Sequence, residues 1–150
     1  MIKQILITTS IIALLTGCGS TKSKKTPSQS LDSLSTSFES QGDTVYFKFD
    51  NTDLSAADIT TLDKQAEWLQ NNSDVAVEIE GHCDARGTRE YNIILGEKRA
   101  FAVKKHLVKV KGVNAERIST ISYGKERPAV VGDDEEAFAM NRRAVTILNK

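Results

Sequence analysis

The sequence predicts an α/β two-layer sandwich, a four-stranded sheet with its helices packed on one face, in the order β-α-β-α-β-(α)-β. Three observations predict it. Four short segments read as strands, the first two with the apolar–polar alternation of a strand with one buried face. Between the first three of them lie two stretches whose apolar residues recur three and four apart, the period of a helix. A loop and a short helical turn separate the third and fourth strands.

In the first strand Val45, Phe47 and Phe49 alternate with Tyr46 and Lys48, and Asp50-Asn51 end it. Ser55 is placed to cap the helix that follows, where Ile59, Leu62, Ala66 and Leu69 share a face until Asn71-Asn72 stop it. Val75, Val77 and Ile79 alternate with Ala76, Glu78 and Glu80 in the second strand. The loop GHCDARG, Gly81 to Gly87, leads to Thr88 as the next N-cap, with Glu90 suited to the positive end of the helix dipole. This long helix runs to Lys111 and stops at Gly112, and its inner stripe is Asn92, Leu95, Arg99/Ala100, Val103, Leu107 and Val110. Arg117 to Tyr123 is the third strand, Lys125 to Asp134 a loop around Pro128, Glu135 to Met140 the helical turn, and Ala144 to Leu148 the last strand.

Ahead of this domain the chain changes character. Residues 1–17 carry Lys3 and then a mostly apolar run from Ile5 to Leu15. That run is short of the about 20 residues a membrane-spanning helix needs, and it suits the apolar region of a secretory signal. It ends Leu15-Thr16-Gly17-Cys18, which resembles the bacterial lipobox, in which the cysteine is lipidated and becomes the first residue after cleavage. Cys18 is therefore the expected site of a covalent lipid (palmitate among its chains), and two or three acyl chains make a stable anchor. Gly19, not Asp, follows, and by resemblance to enteric sorting this points to the outer membrane. Residues 19–42 are rich in Ser and Thr, contain Pro27 and few apolar residues, and read as a flexible linker. As a random coil of about 24 residues it spans roughly 25–30 Å. The expected organisation is a signal peptide over 1–17, a lipidated N-terminus and tether over 18–42, and a folded domain over 43–150.

Lys plus Arg number 20 and Asp plus Glu number 20, so no overall basic field exists to attract nucleic acid. His82, Cys83 and His106 lack metal-ligand spacing, so neither a metal nor another cofactor is expected. A nucleophilic Cys83 with His82 as its base is disfavoured, because neighbours on an extended segment point to opposite sides. No enzyme is expected.

Two charges sit where a bland domain would not put them. Arg99 lies on the apolar stripe of the long helix, four residues after Leu95 and four before Val103. Asp84 lies in the loop after the second strand, near the start of that helix. The residues fit three readings: an internal Asp84–Arg99 salt bridge, an Arg99 that snorkels out to solvent, or a carboxylate and a guanidinium converging on a ligand.

The stretches VYFKFD, EGHCDARGTREYN, LGEKRA, SYGKERPAV and NRRAV, with Asn92, Leu95, Arg99, Ala100, Val103 and Leu107 at the family spacing, resemble the peptidoglycan-binding domain of outer membrane protein A. The resemblance implies a non-enzymatic module that holds the free end of meso-diaminopimelate in the peptidoglycan stem peptide. It implies Asp84 for the ligand's ammonium and Arg99 for its carboxylate, with Asp50 and Asn92 as further lining. It also implies support from Leu95 and from Asn141, Arg142 and Arg143. Lipid-anchored members also bind the periplasmic propeller protein TolB and work with other Tol proteins at cell division, so the implied partners are peptidoglycan, the outer membrane through its lipid anchor, and the Tol proteins. The alternative is chiefly a TolB-binding module with Asp84–Arg99 as a structural pair. Cys83 departs from the small residue, often Ala, that the family places there.

Overall fold

The computed structural model describes residues 30–149. The signal segment, Cys18 and the tether up to residue 29 lie outside the described residues. Over the described residues the order is α1 (Leu31–Glu39), β1 (Thr44–Tyr46), α2 (Ala56–Asn71), β2 (Val77–His82), α3 (Arg89–Lys105), β3 (Ile118–Gly124), α4 (Glu135–Asn141) and β4 (Arg143–Leu148). A π-helical turn, His106–Val110, extends α3, and a 3-10 turn, Ala115–Arg117, precedes β3.

The strands form one mixed sheet in the order β1-β4-β2-β3. The last strand in sequence enters the middle, antiparallel to β1 through Thr44↔Val145 and to β2 through Val77↔Leu148. β2 and β3 are parallel, Val77 opposite Ile118, because α3 carries the chain back between them. The inward residues Val45, Val77, Ile79, Ile118 and Ala144 join Leu62, Ala66 and Leu69 of α2 and Ala100 and Val103 of α3 in one core.

Local chemistry sets the helix ends. Ser55 and Asp58 form a reciprocal capping box at α2, and Asp58 also accepts the Tyr46 N–H, which ties β1 to the helix start. Thr88 caps α3 by accepting from the Tyr91 N–H. Gly112, at φ 75°, takes the left-handed conformation that lets the chain leave the π turn.

The structure corrects four sequence expectations. The first strand, expected to carry Phe47 and Phe49 and to end at Asp50-Asn51, already ends at Tyr46, where its pairing with β4 stops at Arg143. The segment expected to be flexible up to residue 42 contains α1, capped by Ser30, whose Phe38 is buried in the core against Trp68. Ser and Thr dominate α1, so its helix comes from tertiary burial of Phe38 and packing of Leu34 rather than from composition. Val110 stands out in solvent, because the π turn rotates the end of the long helix away from its earlier stripe. Ile59, in the first turn of α2, is likewise exposed.

Candidate functional site

One contact positions the site before any polar group does. Gly81 of β2 and Gly96 of α3 meet backbone to backbone: a Cβ on Gly81 would overlap the Gly96 carbonyl. This close approach brings α3 down onto the sheet. Three residues along the helix it places Arg99 against the C-terminal end of β2. There the β2–β3 pairing shifts register at Gly81/His82, and the Cys83 N–H donates to the Gly124 carbonyl (2.8 Å). The shift turns the chain out of the sheet into the loop that carries Asp84.

Arg99 is 1% exposed. Its guanidinium donates to three backbone carbonyls: Nε to Asn51 (3.1 Å), Nη1 to His82 (2.8 Å) and Nη2 to Lys48 (3.2 Å). No carboxylate among the described residues pairs with it, and burial lowers its pKa from the usual arginine value. A guanidinium has five N–H groups, so two remain for another acceptor. Arg99 therefore clamps the loop after β1 to the end of β2 and keeps part of its donor fork free.

Asp84 is buried, and its partners are two other arginines. Arg86 donates from Nε to Oδ1 (3.2 Å) and from Nη2 to Oδ2 (2.5 Å), and the Arg86 backbone N–H reaches Oδ1 (3.1 Å). Arg142 Nη1 lies 3.4 Å from Oδ2. Burial pushes the Asp84 carboxyl up, but the Arg86 side chain and backbone and the Arg142 side chain outweigh it and hold it below its ordinary value. Asp84 and Arg99 do not bond to each other. They flank a cavity of about 140 Å³, shared with Phe49, Asp50, Cys83, Arg86, Gly87, Tyr91, Asn92 and Leu95.

The other expected residues divide by what they touch. Asp50 lines the mouth at a positive φ of 50° and accepts from the Tyr91 hydroxyl, joining the loop after β1 to the first turn of α3. Asn92 lines the cavity, but its amide N–H groups are spent on the Arg86 and Thr88 carbonyls (2.8 and 2.9 Å), so it braces the Asp84 loop instead of offering donors to a ligand. Leu95 supplies apolar wall. Asn141 holds the loop after β3 through Ala129 and Val130, away from the Asp84 carboxylate.

Adjacent in sequence, the two arginines of the NRR run part company. Arg142 is buried, donates to the Phe47 carbonyl (2.9 Å) and reaches Asp84 and Glu135. Arg143 begins β4 and donates to the Asn141 and Arg127 carbonyls, so it is not in the site.

Arg86, Tyr91 and Phe49 were not anticipated. Arg86 carries the clearest signal, a cation two residues after Asp84 within one short loop. Cys83 is buried with its Sγ 3.3 Å from the Asn92 carbonyl, and burial pushes its thiol up to about 11. His82 faces elsewhere, with Nε2 3.3 Å from Glu80 Oε2 and its ring against Tyr123. A thiolate nucleophile with a histidine base is therefore not assembled here. Among the described residues no cluster of His, Cys, Asp and Glu is suited to a metal ion, and no helix is long and apolar enough to cross a membrane.

By this fold and the residues that frame the cavity, the chain belongs to the OmpA family, whose model matches residues 46–142. Within that family it falls among the peptidoglycan-associated lipoproteins. The protein of that name from Pasteurella multocida is 42% identical over 143 residues, covering 95% of each chain. Its counterpart in Rhizobium meliloti is 50% identical over 107 residues, covering 71% of this chain and 60% of that one. The crystal structure of the peptidoglycan-associated lipoprotein from Burkholderia pseudomallei superimposes with a TM-score of 0.69 at 37% identity, covering 71% of this chain and 90% of that one.

Proposed function

We propose that this domain grips peptidoglycan without reacting with it, by holding the free end of meso-diaminopimelate in the stem peptide. That end carries an ammonium and a carboxylate on one carbon. Asp84 accepts from the ammonium, and the free part of the Arg99 fork donates to the carboxylate. Arg99 carries this reading: a buried guanidinium, braced by three carbonyls and unpaired with any described carboxylate, beside a cavity that Asp84 also lines. A buried charge costs several kcal/mol unless it is compensated. Carbonyl dipoles supply part of the compensation, and an arriving carboxylate supplies the rest. The relatives' name, peptidoglycan-associated lipoprotein, supports peptidoglycan as the ligand.

In this reading Cys18 carries the lipid, the anchor lies in the outer membrane, and the residues up to the start of α1 span the gap to the wall. TolB and other Tol proteins are the protein partners, in envelope integrity and cell division. The module is a tether with no cofactor and no catalytic step.

The test is calorimetric titration of the full chain in detergent with a stem peptide ending in meso-diaminopimelate, beside Asp84→Asn and Arg99→Lys. Arg99→Ala is a poor probe, because it strands three carbonyls and tests the fold as much as the ligand. Each charge-assisted contact contributes about 1.5–3 kcal/mol, so each variant should bind about 10-fold more weakly or worse while melting as a folded protein. Wild-type protein that binds neither the peptide nor intact wall would remove the reading. Release of soluble fragments from purified wall would replace it with a hydrolase.

A further inference from the structure

We propose that Arg86 competes with the ligand's ammonium for Asp84 and passes to Glu135 when the ammonium takes its place. The inference rests on the assignment of Asp84 as the ammonium acceptor.

Arg86 covers Asp84 as a bound cation would. It reaches both carboxylate oxygens, at 3.2 and 2.5 Å, and it lines the same cavity. Its guanidinium is also held by ring faces, 4.0 Å from the Phe49 centroid and 4.4 Å from that of Phe138. An ammonium that reaches Asp84 must therefore displace a cation already there, and the displacement subtracts from its affinity.

A second acceptor is already in reach. Glu135, at the start of α4, places Oε2 3.5 Å from Arg86 Nη1. The Arg86 side chain is 36% exposed, so it has room to turn, and the Glu135 side chain is 67% exposed. Glu135 also holds Arg142 Nη2 at 2.8 Å, and Arg142 reaches back to Asp84 at 3.4 Å. Two carboxylates and two arginines thus form a closed ring. Releasing Arg86 from Asp84 leaves it paired with Glu135 and stacked on Phe138, so the exchange does not strand a charge. The arrangement sets a selectivity rule: a ligand must bring its own cation to gain Asp84, and a ligand with a carboxylate alone leaves Arg86 where it is.

The experiment titrates the full chain in detergent with two stem peptides, one ending in meso-diaminopimelate and one whose free end lacks the amine. Arg86→Gln should bind the first peptide about 2- to 5-fold more tightly than wild type, the range of a partly exposed ion pair, and should not bind the second more tightly. With Asp84→Asn already in place, Arg86→Gln should change nothing. Arg86→Lys, which keeps the charge and loses the fork, should fall between wild type and Arg86→Gln. Glu135→Gln should weaken binding of the first peptide, because the displaced arginine loses its second acceptor. If wild type binds and Arg86→Gln binds equally or more weakly, the competition is overturned. If Glu135→Gln binds as wild type does, the transfer to Glu135 is overturned. If no variant binds either peptide, the assignment of Asp84 falls first and this inference falls with it.

Discussion

Replacing Phe38 with alanine should destabilise the domain by about 3–5 kcal/mol, the usual range for a fully buried Phe cut to Ala. The magnitude follows from where the ring sits. Phe38 is 1% exposed, and its ring meets Trp68 edge-on with centroids 5.1 Å apart and planes at 70°. The Trp68 indole N–H donates to Ser37 Oγ at 3.0 Å, so two adjacent residues of α1 hold one side chain of α2. A helix of 9 residues does not persist alone in water. Loss of Phe38 should therefore undock α1 as a unit and expose Trp68. Trp68 is the single tryptophan of the chain, so the emission reports on the environment of this one side chain. Urea unfolding followed by tryptophan fluorescence should show a midpoint lowered by roughly 1.5–2.5 M, for a slope of about 2 kcal/mol per M. The native emission should already be red-shifted before the transition. A loss below about 1 kcal/mol with unshifted native emission would refute the reasoning and place the start of the fold after α1.

Two further outcomes follow from the same geometry. Gly81→Ala should cost about 3 kcal/mol or more in urea unfolding, because the new methyl meets backbone and not a mobile side chain; it should also weaken stem-peptide binding, since Arg99 rides on the helix that must move. The His82 pKa is lowered to about 4, first by burial and then by the charges of Arg143 and Arg127. Its folded pKa lies below the unfolded value of about 6.5, so its contribution is fully present above about pH 6.5 and is lost as pH falls towards 4, while the unfolded chain takes a proton that the fold refuses. Across that window the His82 contribution should fall by about 3 kcal/mol, and His82→Gln should lose that part of the slope.

The fold was legible because its signals are local. Helical spacing from Leu62 to Leu69 and from Leu95 to Leu107 and the caps at Ser55 and Thr88 depend on near neighbours and formed where their patterns lie, while alternation found the strands but not their ends: β1 stops at Tyr46, short of Phe47 and Phe49, and β2 runs from Val77 into His82. The oddity of Arg99 was legible for the same reason, a charge on an apolar stripe. Its partners were not, because they are carbonyls of Lys48, Asn51 and His82, which carry no residue-type signal and meet only when α3 settles on the sheet. Tertiary structure also separated Arg142 from Arg143. Alternation of side chains at the start of a strand sends neighbours to opposite sides, and only the pairing of β4 between β1 and β2 decides which side holds Asp84. The Ser- and Thr-rich run around Phe38 shows the converse: composition argued for a linker, and one aromatic ring with a tryptophan waiting in α2 was enough to order it. Periodicity thus determined the layers and marked the unusual charge, while the pairing of charges was decided by contacts between segments far apart in the chain, whose geometry no local pattern encodes.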